Sequence, residues 1–191
     1  MTVRVGINGF GRIGRNVLRS ILEVGRTDIE VVAINDLGPI ETNAHLLRFD
    51  SIHGRFPGTV KIVDGGIDAG SGPIKVTAER DPAKLPWANV DIALECTGIF
   101  TDRDKAKLHL QNGSKRVLVS APAAGADLSV VYGGNHESLS ANHLIVSNAS
   151  CTTNCLAPVA MVLDKEFGIK TGYMTTCLLY TSPSPRDKRQ S

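Results

Sequence analysis

The run Gly9-Phe10-Gly11-Arg12-Ile13-Gly14 constrains this chain more than any other stretch. It follows a short apolar segment, residues 3–7, that reads as a strand. It precedes Ile13, Val17, Leu18, Ile21 and Leu22, which recur at helical spacing up to Gly25, a residue suited to stopping a helix. A second apolar strand, residues 29–34, ends in Asn35-Asp36. Strand, glycine turn, helix, strand and acid, in that order, make a dinucleotide-binding unit. Gly9 serves the tight turn, Gly11 the close approach of a pyrophosphate, and Gly14 the close packing of helix on strand. Asp36 lies about 20 residues beyond the third glycine, where a carboxylate meets the hydroxyls of an adenosine ribose. Its charge would repel a 2′-phosphate, so NAD is expected rather than NADP.

The pattern continues as alternating strands and helices. Residues 39–49 hold a helical stretch, and residues 54–82, rich in glycine and short alternating runs, predict antiparallel hairpins inserted into a parallel sheet. Further strands are expected over 90–94, 116–119, 130–133 and 143–146, with a polar helix over 102–110. Thr97-Gly98 falls at the carboxyl end of one of these strands, where open α/β sheets bind ligands, and is a candidate cofactor wall. The expected fold is α/β, a Rossmann-type doubly wound sheet.

A second feature is the stretch Ser147-Asn148-Ala149-Ser150-Cys151-Thr152-Thr153-Asn154-Cys155. Serines and threonines crowd the junction between a strand and residues 156–167, whose apolar positions suit a helix packed on one side. Cys151 is thereby expected near a helix N-terminus, where unpaired N–H groups favour a thiolate and can hold a developing oxyanion. A buried, inert thiol is an equal reading of this stretch alone. Cys155 reads as a core residue. Cys151 and Cys155 share a helical face, yet no second pair completes a zinc site, and no metal is expected. His45, His53, His109, His136 and His143 read as structural or exposed rather than as a base for Cys151.

Composition excludes several classes. A net charge of +2 over 191 residues gives no reason to expect nucleic acid or a membrane as partner. No apolar run approaches the roughly 20 residues that span a bilayer. The first residues lack a signal-peptide pattern, and four cysteines make no disulfide framework, so a cytoplasmic protein is expected.

A dinucleotide fingerprint together with a thiolate-ready cysteine points to aldehyde oxidation through a thioester. From about residue 3 to 176 the chain resembles phosphorylating glyceraldehyde-3-phosphate dehydrogenases. The resemblance is carried by Ile7-Asn8-Gly9-Phe10-Gly11-Arg12-Ile13-Gly14-Arg15 and the stretch 147–155. Asn43-Ala44-His45-Leu46-Leu47, Asp50-Ser51-Ile52-His53-Gly54, Glu79-Arg80-Asp81-Pro82 and Ser120-Ala121-Pro122 add to it.

The resemblance implies a role for each matching position. Arg12 and Ile13 meet the NAD pyrophosphate through the glycine turn, and Asp36 meets the ribose. Arg80 and Ser120 line the cofactor site. Cys151 is the nucleophile, with Ser150 and Thr152 beside the substrate. The implied partners are a sugar-phosphate aldehyde and inorganic phosphate, and the parent enzyme is a homotetramer. An enzyme oxidising erythrose 4-phosphate shares both main motifs and is the alternative within the class. A non-catalytic NAD-binding fragment is the alternative outside it.

The expected organisation is an NAD-binding domain over 1–150, then the truncated start of an α+β catalytic domain over 151–176, then a non-native tail over 177–191. The family's general base is a histidine at the position held here by Leu178. Tyr180 and Thr181 match the family, but the rest of Cys177 to Ser191 does not, and its first codons can spell a transposase-type sequencing adapter. The missing base, second phosphate site and most of the tetramer interface predict negligible turnover for the chain as written. A nucleophile without its base loses roughly a hundredfold or more in rate.

Overall fold

The computed structural model describes residues 2–176; the tail from Cys177, with Leu178, Tyr180 and Thr181, lies outside the described residues. The elements in order are β1 (Val3–Asn8), α1 (Arg12–Val24), β2 (Ile29–Asn35), α2 (Ile40–Arg48), and a hairpin of β3 (Phe49–Asp50) with β4 (Gly54–Arg55). Then come β5 (Lys61–Val63), β6 (Gly66–Asp68), β7 (Pro73–Thr77), β8 (Ile92–Glu95), α3 (Arg103–Ala106) and α4 (Leu108–Gln111). The described chain closes with β9 (Arg116–Val119), β10 (Leu128–Ser129), β11 (Ile145–Ser147) and α5 (Cys151–Phe167).

Nine strands form one sheet in the order β10-β11-β9-β8-β1-β2-β7-β6-β5. From β10 to β7 every pairing is parallel, while β6 and β5 return antiparallel. This is the α/β doubly wound arrangement expected from the sequence. The predicted hairpins extend the edge beyond β2 rather than interrupting the parallel strands. The chain leaves β1 toward β2 on one side and later returns to β8 on the other. That reversal opens a crevice between the carboxyl ends of β1 and β8.

Alternate residues of the strands serve the two faces. On one face Val5, Ile7, Val31, Ile34 and Leu94 pack with Leu18 of α1 and Ala44 and Leu47 of α2. On the other, Trp87, fully buried, packs with Ala33 and Ala93, and Ala106 of α3 packs with Val117, Val119 and Ile145. A Cβ at Gly6 would fall 2.8 Å from the Trp87 ring, so β1 can pass beneath the indole only as glycine.

Three expectations need correction. Residues 130–133 are not a strand; the strand is Leu128–Ser129. The Asp127 carboxylate accepts the N–H groups of Leu144 and Ile145 at 2.8 and 2.9 Å, which sets Leu128 opposite Val146. By Val131 the chain is turning, its N–H donated to Asn135 Oδ1 at 2.8 Å. The polar helix over 102–110 is two short helices, α3 and α4, joined at Lys107. Finally, α5 forms as expected but buries no residue, and Cys155, expected in the core, is exposed along with Val162 and Phe167.

Candidate functional site

The glycine turn is built by close contacts. Gly9 has φ of +90°, and a Cβ there would lie 2.7 Å from the Thr97 nitrogen, so the turn after β1 rests directly on the peptide after β8. A Cβ at Gly14 would lie 2.2 Å from the Gly9 oxygen, which brings α1 hard against the turn. At Gly11 the situation is the reverse: a Cβ would meet no atom within 4 Å. Packing does not demand that glycine, and the space beside it is open to a ligand. Gly11 also caps α1 without any side-chain hydrogen bond, and no acid occupies the first turn. The first amides, including those of Arg12 and Ile13, are thus left for an anion, and the helix dipole adds to their attraction.

Gly9, Gly11, Asp36 and Arg80 line one cavity of about 310 Å³, together with Asn8, Asn35, Thr97 and Ile99. Of the pair Thr97-Gly98, Thr97 lines this cavity and Gly98 does not. Asp36 Oδ2 accepts the Phe10 N–H at 2.8 Å, and Oδ1 accepts the Gly38 N–H at 2.8 Å. Asn43 Nδ2 also reaches Oδ1 at 3.4 Å, so Oδ2 is the oxygen that keeps a lone pair for a ribose hydroxyl. The Arg12 side chain turns elsewhere, with its guanidinium 3.2 Å from Asp50. Arg12 does not line this cavity.

Ile13 and Ser120 line a second, larger groove of about 650 Å³, and so do Ser150, Cys151 and Asn154. Its floor is the apolar face of β1, β8 and β9, where Val5, Leu94 and Leu118 are flanked by Val17 and Ile21 of α1. Cys96 lines both cavities, so the two adjoin there. Burial pushes the Cys96 thiol up to about 11, although a hydrogen bond with Ser120 works the other way. It is a packing thiol at neutral pH.

Cys151 is exposed and is the first residue of α5. Ser150 caps the helix, its Oγ accepting the Thr153 N–H at 3.0 Å and lying 2.8 Å from Thr152 Oγ1. The turn before it is held from several sides. Ala149 adopts φ of +55°, a conformation that side chains disfavour, and its N–H is donated to Ser147 Oγ at 3.0 Å. Asn154 Nδ2 donates to the carbonyls of Asn148 and Ser150 at 2.8 and 2.9 Å. Thr152 thus serves the cap network. Asn154 thereby ties this turn to its helix from one turn inside it.

None of the five histidines lines either cavity. His109 is fully buried, and His45 and His53 are exposed. Among the described residues no group of three His, Cys, Asp or Glu is placed to hold a metal ion. No helix among them is long and apolar enough to cross a membrane.

The doubly wound sheet, the uncapped helix behind an open glycine turn, and the acid after β2 define a dinucleotide-binding domain, here followed by a cysteine at the start of the next long helix. Residues 3–103 match the family described as glyceraldehyde 3-phosphate dehydrogenase, NAD binding domain, and residues 150–190 match the C-terminal domain of the same enzymes. The chain belongs to the glyceraldehyde 3-phosphate dehydrogenase family, and its cofactor is NAD. It is similar to the glyceraldehyde-3-phosphate dehydrogenase of Xanthobacter flavus, 72% identical over 187 residues that cover 97% of this chain and 56% of the relative. The enzymes so named from Cereibacter sphaeroides and Pseudomonas aeruginosa are 70% and 57% identical, with 97% and 95% of this chain covered. The chain spans about 56% of the length of the first of these relatives.

Proposed function

We propose that this chain supplies the cofactor half and the nucleophile of an NAD-dependent phosphorylating dehydrogenase acting on glyceraldehyde 3-phosphate. The observation that carries the reading is the groove shared by Cys151, Ile13 and Ser120, which adjoins the dinucleotide cavity at Cys96. A substrate carbon bonded to Cys151 there would sit beside the reactive end of a cofactor whose adenosine is held at Asp36.

In this reading Cys151 Sγ attacks the aldehyde carbon, and the oxygen that gains charge is met by N–H groups at the start of α5. NAD, when bound, supplies a two-electron acceptor for the hydride lost from that carbon. The carbon is left as a thioester on Cys151. Inorganic phosphate then attacks the thioester carbonyl, an acyl phosphate leaves, and Cys151 is released as thiolate. Gly9, Gly11 and Gly14 shape the pyrophosphate turn, the amides of Arg12 and Ile13 bind it, and Arg80 and Ser120 form cofactor walls. Ser150 and Thr152 stand beside the substrate.

The proposal also takes residues 1–150 as the NAD-binding domain and 151–176 as the opening of the catalytic domain, in a protein that assembles as a homotetramer in the cytoplasm. Cys96, Cys151 and Cys155 are free thiols, as a reducing compartment requires. A foreign origin for 177–191 belongs to the proposal because those residues depart from the family pattern and can be encoded by an adapter; the C-terminal family match, which runs on to residue 190, weighs against it. Amplifying the genomic locus across the codons for Met174 to Ser191 tests that point: a histidine codon near 178 in a longer frame supports it.

The activity itself is tested by NADH formation from glyceraldehyde 3-phosphate and phosphate, in a chain extended to the full length of the relatives. Turnover lost in Cys151→Ser supports the reading. Turnover that survives the substitution, or faster oxidation of erythrose 4-phosphate, contradicts it.

A further inference from the structure

Beneath the dinucleotide cavity lies a buried carboxylate, Glu95, that does not itself line it but bonds to Asn8 and Thr97, which do. Glu95, 1% exposed, closes β8. Its Oε2 accepts from Asn8 Nδ2 at 2.6 Å and lies 2.9 Å from His109 Nε2. Its Oε1 accepts the Thr97 N–H at 2.8 Å and the Thr97 hydroxyl. Trp87 settles the tautomer of His109. An indole N–H can only donate, and it meets His109 Nδ1 at 2.7 Å, so the imidazole proton sits on Nε2 and points at Glu95. Glu95 therefore faces four donors. No Lys or Arg among the described residues pairs with it; His109 meets it as a hydrogen-bond donor.

The network runs on across the sheet. Asn8 Oδ1 accepts from Asn35 Nδ2 at 2.8 Å. Asn35 in turn brackets the Glu79 peptide, with Nδ2 to its carbonyl and Oδ1 from its N–H, both at 2.8 Å. Thr97 Oγ1 accepts the Ile99 N–H at 3.1 Å. Asn8, Glu79 and Thr97 are the residues from which three walls of the cavity depart: the glycine turn, the loop at Arg80 and the turn at Ile99.

We infer that Glu95 is a positioning residue for NAD, the fixed acceptor from which the glycine turn and the 97–99 wall are hung, without itself touching the cofactor. The inference rests on reading the cavity as the dinucleotide site. If these groups served stability alone, an apolar core of equal volume would do as well or better. A fully satisfied polar network instead fixes one geometry, because each member has only one way to be bonded. A carboxylate is required in particular. A glutamine would turn an NH₂ group toward either the His109 and Asn8 donors or the Thr97 amide, and one cavity wall would come loose.

The test is calorimetric titration with NAD of the 191-residue chain and three variants, with the indole N–H resonance of Trp87, the one tryptophan, as a reporter. Glu95→Gln is expected to weaken NAD binding about tenfold or more, shift the indole resonance, and speed exchange of the Thr97 amide. Thr97→Val, which removes one donor at a half-buried position and leaves the core intact, is expected to weaken binding about threefold and decides the matter should Glu95→Gln not fold. Val117→Ala, a buried change outside the network, is the stability control; it lowers the melting temperature but leaves NAD affinity within about twofold. NAD affinity unchanged in both Glu95→Gln and Thr97→Val, or lowered as much by Val117→Ala, overturns the inference while the dinucleotide reading stands. No NAD binding by the unsubstituted chain overturns both.

Discussion

Phe10 donates its backbone N–H to Asp36 Oδ2 at 2.8 Å, which makes the glycine turn after β1 and the acid after β2 a single unit. Asp36 thus holds the turn, and in the proposed function it also presents negative charge where a 2′-phosphate would have to sit. Asp36→Asn retains one acceptor oxygen for the two N–H groups of Phe10 and Gly38 and removes the charge. The expected outcome is NAD affinity lowered about tenfold and the NADP-to-NAD affinity ratio raised about tenfold. Parallel titrations with the two cofactors check both.

Gly11 and Gly14 separate ligand space from packing space. Gly14→Ala would set a methyl group 2.2 Å from the Gly9 oxygen, a backbone atom with no freedom to move. Loss of about 3 kcal/mol or more is expected, read by urea unfolding. Gly11→Ala meets no protein atom, and the backbone there, φ −67°, suits alanine. Its stability should fall by no more than about 1 kcal/mol, while NAD affinity should fall at least about tenfold.

Much of this arrangement was legible because it is local. The glycine spacing, the helix after it and Asp36 at the end of β2 all depend on neighbours in sequence. The cap at Ser150 and the place of Cys151 were legible for the same reason. What was not legible depends on register between distant strands. Nothing near Glu95 or His109 in sequence announces that they meet, since the contact needs β8 beside β1 and α4 across the sheet. The shift of the tenth strand from 130–133 to Leu128–Ser129 has the same origin, because the Asp127 contacts that set it come from Leu144 and Ile145. For α5 the helix was legible and its surroundings were not: apolar spacing predicts a packed face but not which segment packs on it.

Acid should weaken the fold through Asp127 and Asp50. The Ile145 N–H, the Arg103 guanidinium and the Leu144 N–H hold the Asp127 carboxyl at about 2, against an ordinary value near 4. The His53 and Ile52 N–H groups, with Arg12 beyond them, hold Asp50 at about 2. Both values are depressed on folding, so the contribution to stability is fully present above about pH 4 and is lost as pH falls through about 2. Urea midpoints should decline over that window. Asp127→Asn should be less stable at pH 7 and show a shallower decline below pH 4; an unchanged slope would remove Asp127 from the account.

The uncovered surfaces also have a measurable consequence. Phe167 is 83% exposed, and the groove beside Cys151 is largely apolar. Phe167→Ser should change unfolding free energy by less than about 0.5 kcal/mol while raising solubility. An environment-sensitive apolar dye should bind the native chain, with Leu118→Asp on the groove floor reducing its fluorescence.

The central claim is that Cys151 is the nucleophile set at the head of α5. Cys155, one turn along the same helix and also exposed, is an internal control, and half-buried Cys96 is a second. The most direct measurement is the rate of iodoacetamide alkylation at each site near pH 7, resolved by peptide mass spectrometry. Labelling of Cys151 about tenfold or more faster than Cys155, with Cys96 protected, is the predicted result. Equal rates at Cys151 and Cys155 would contradict it.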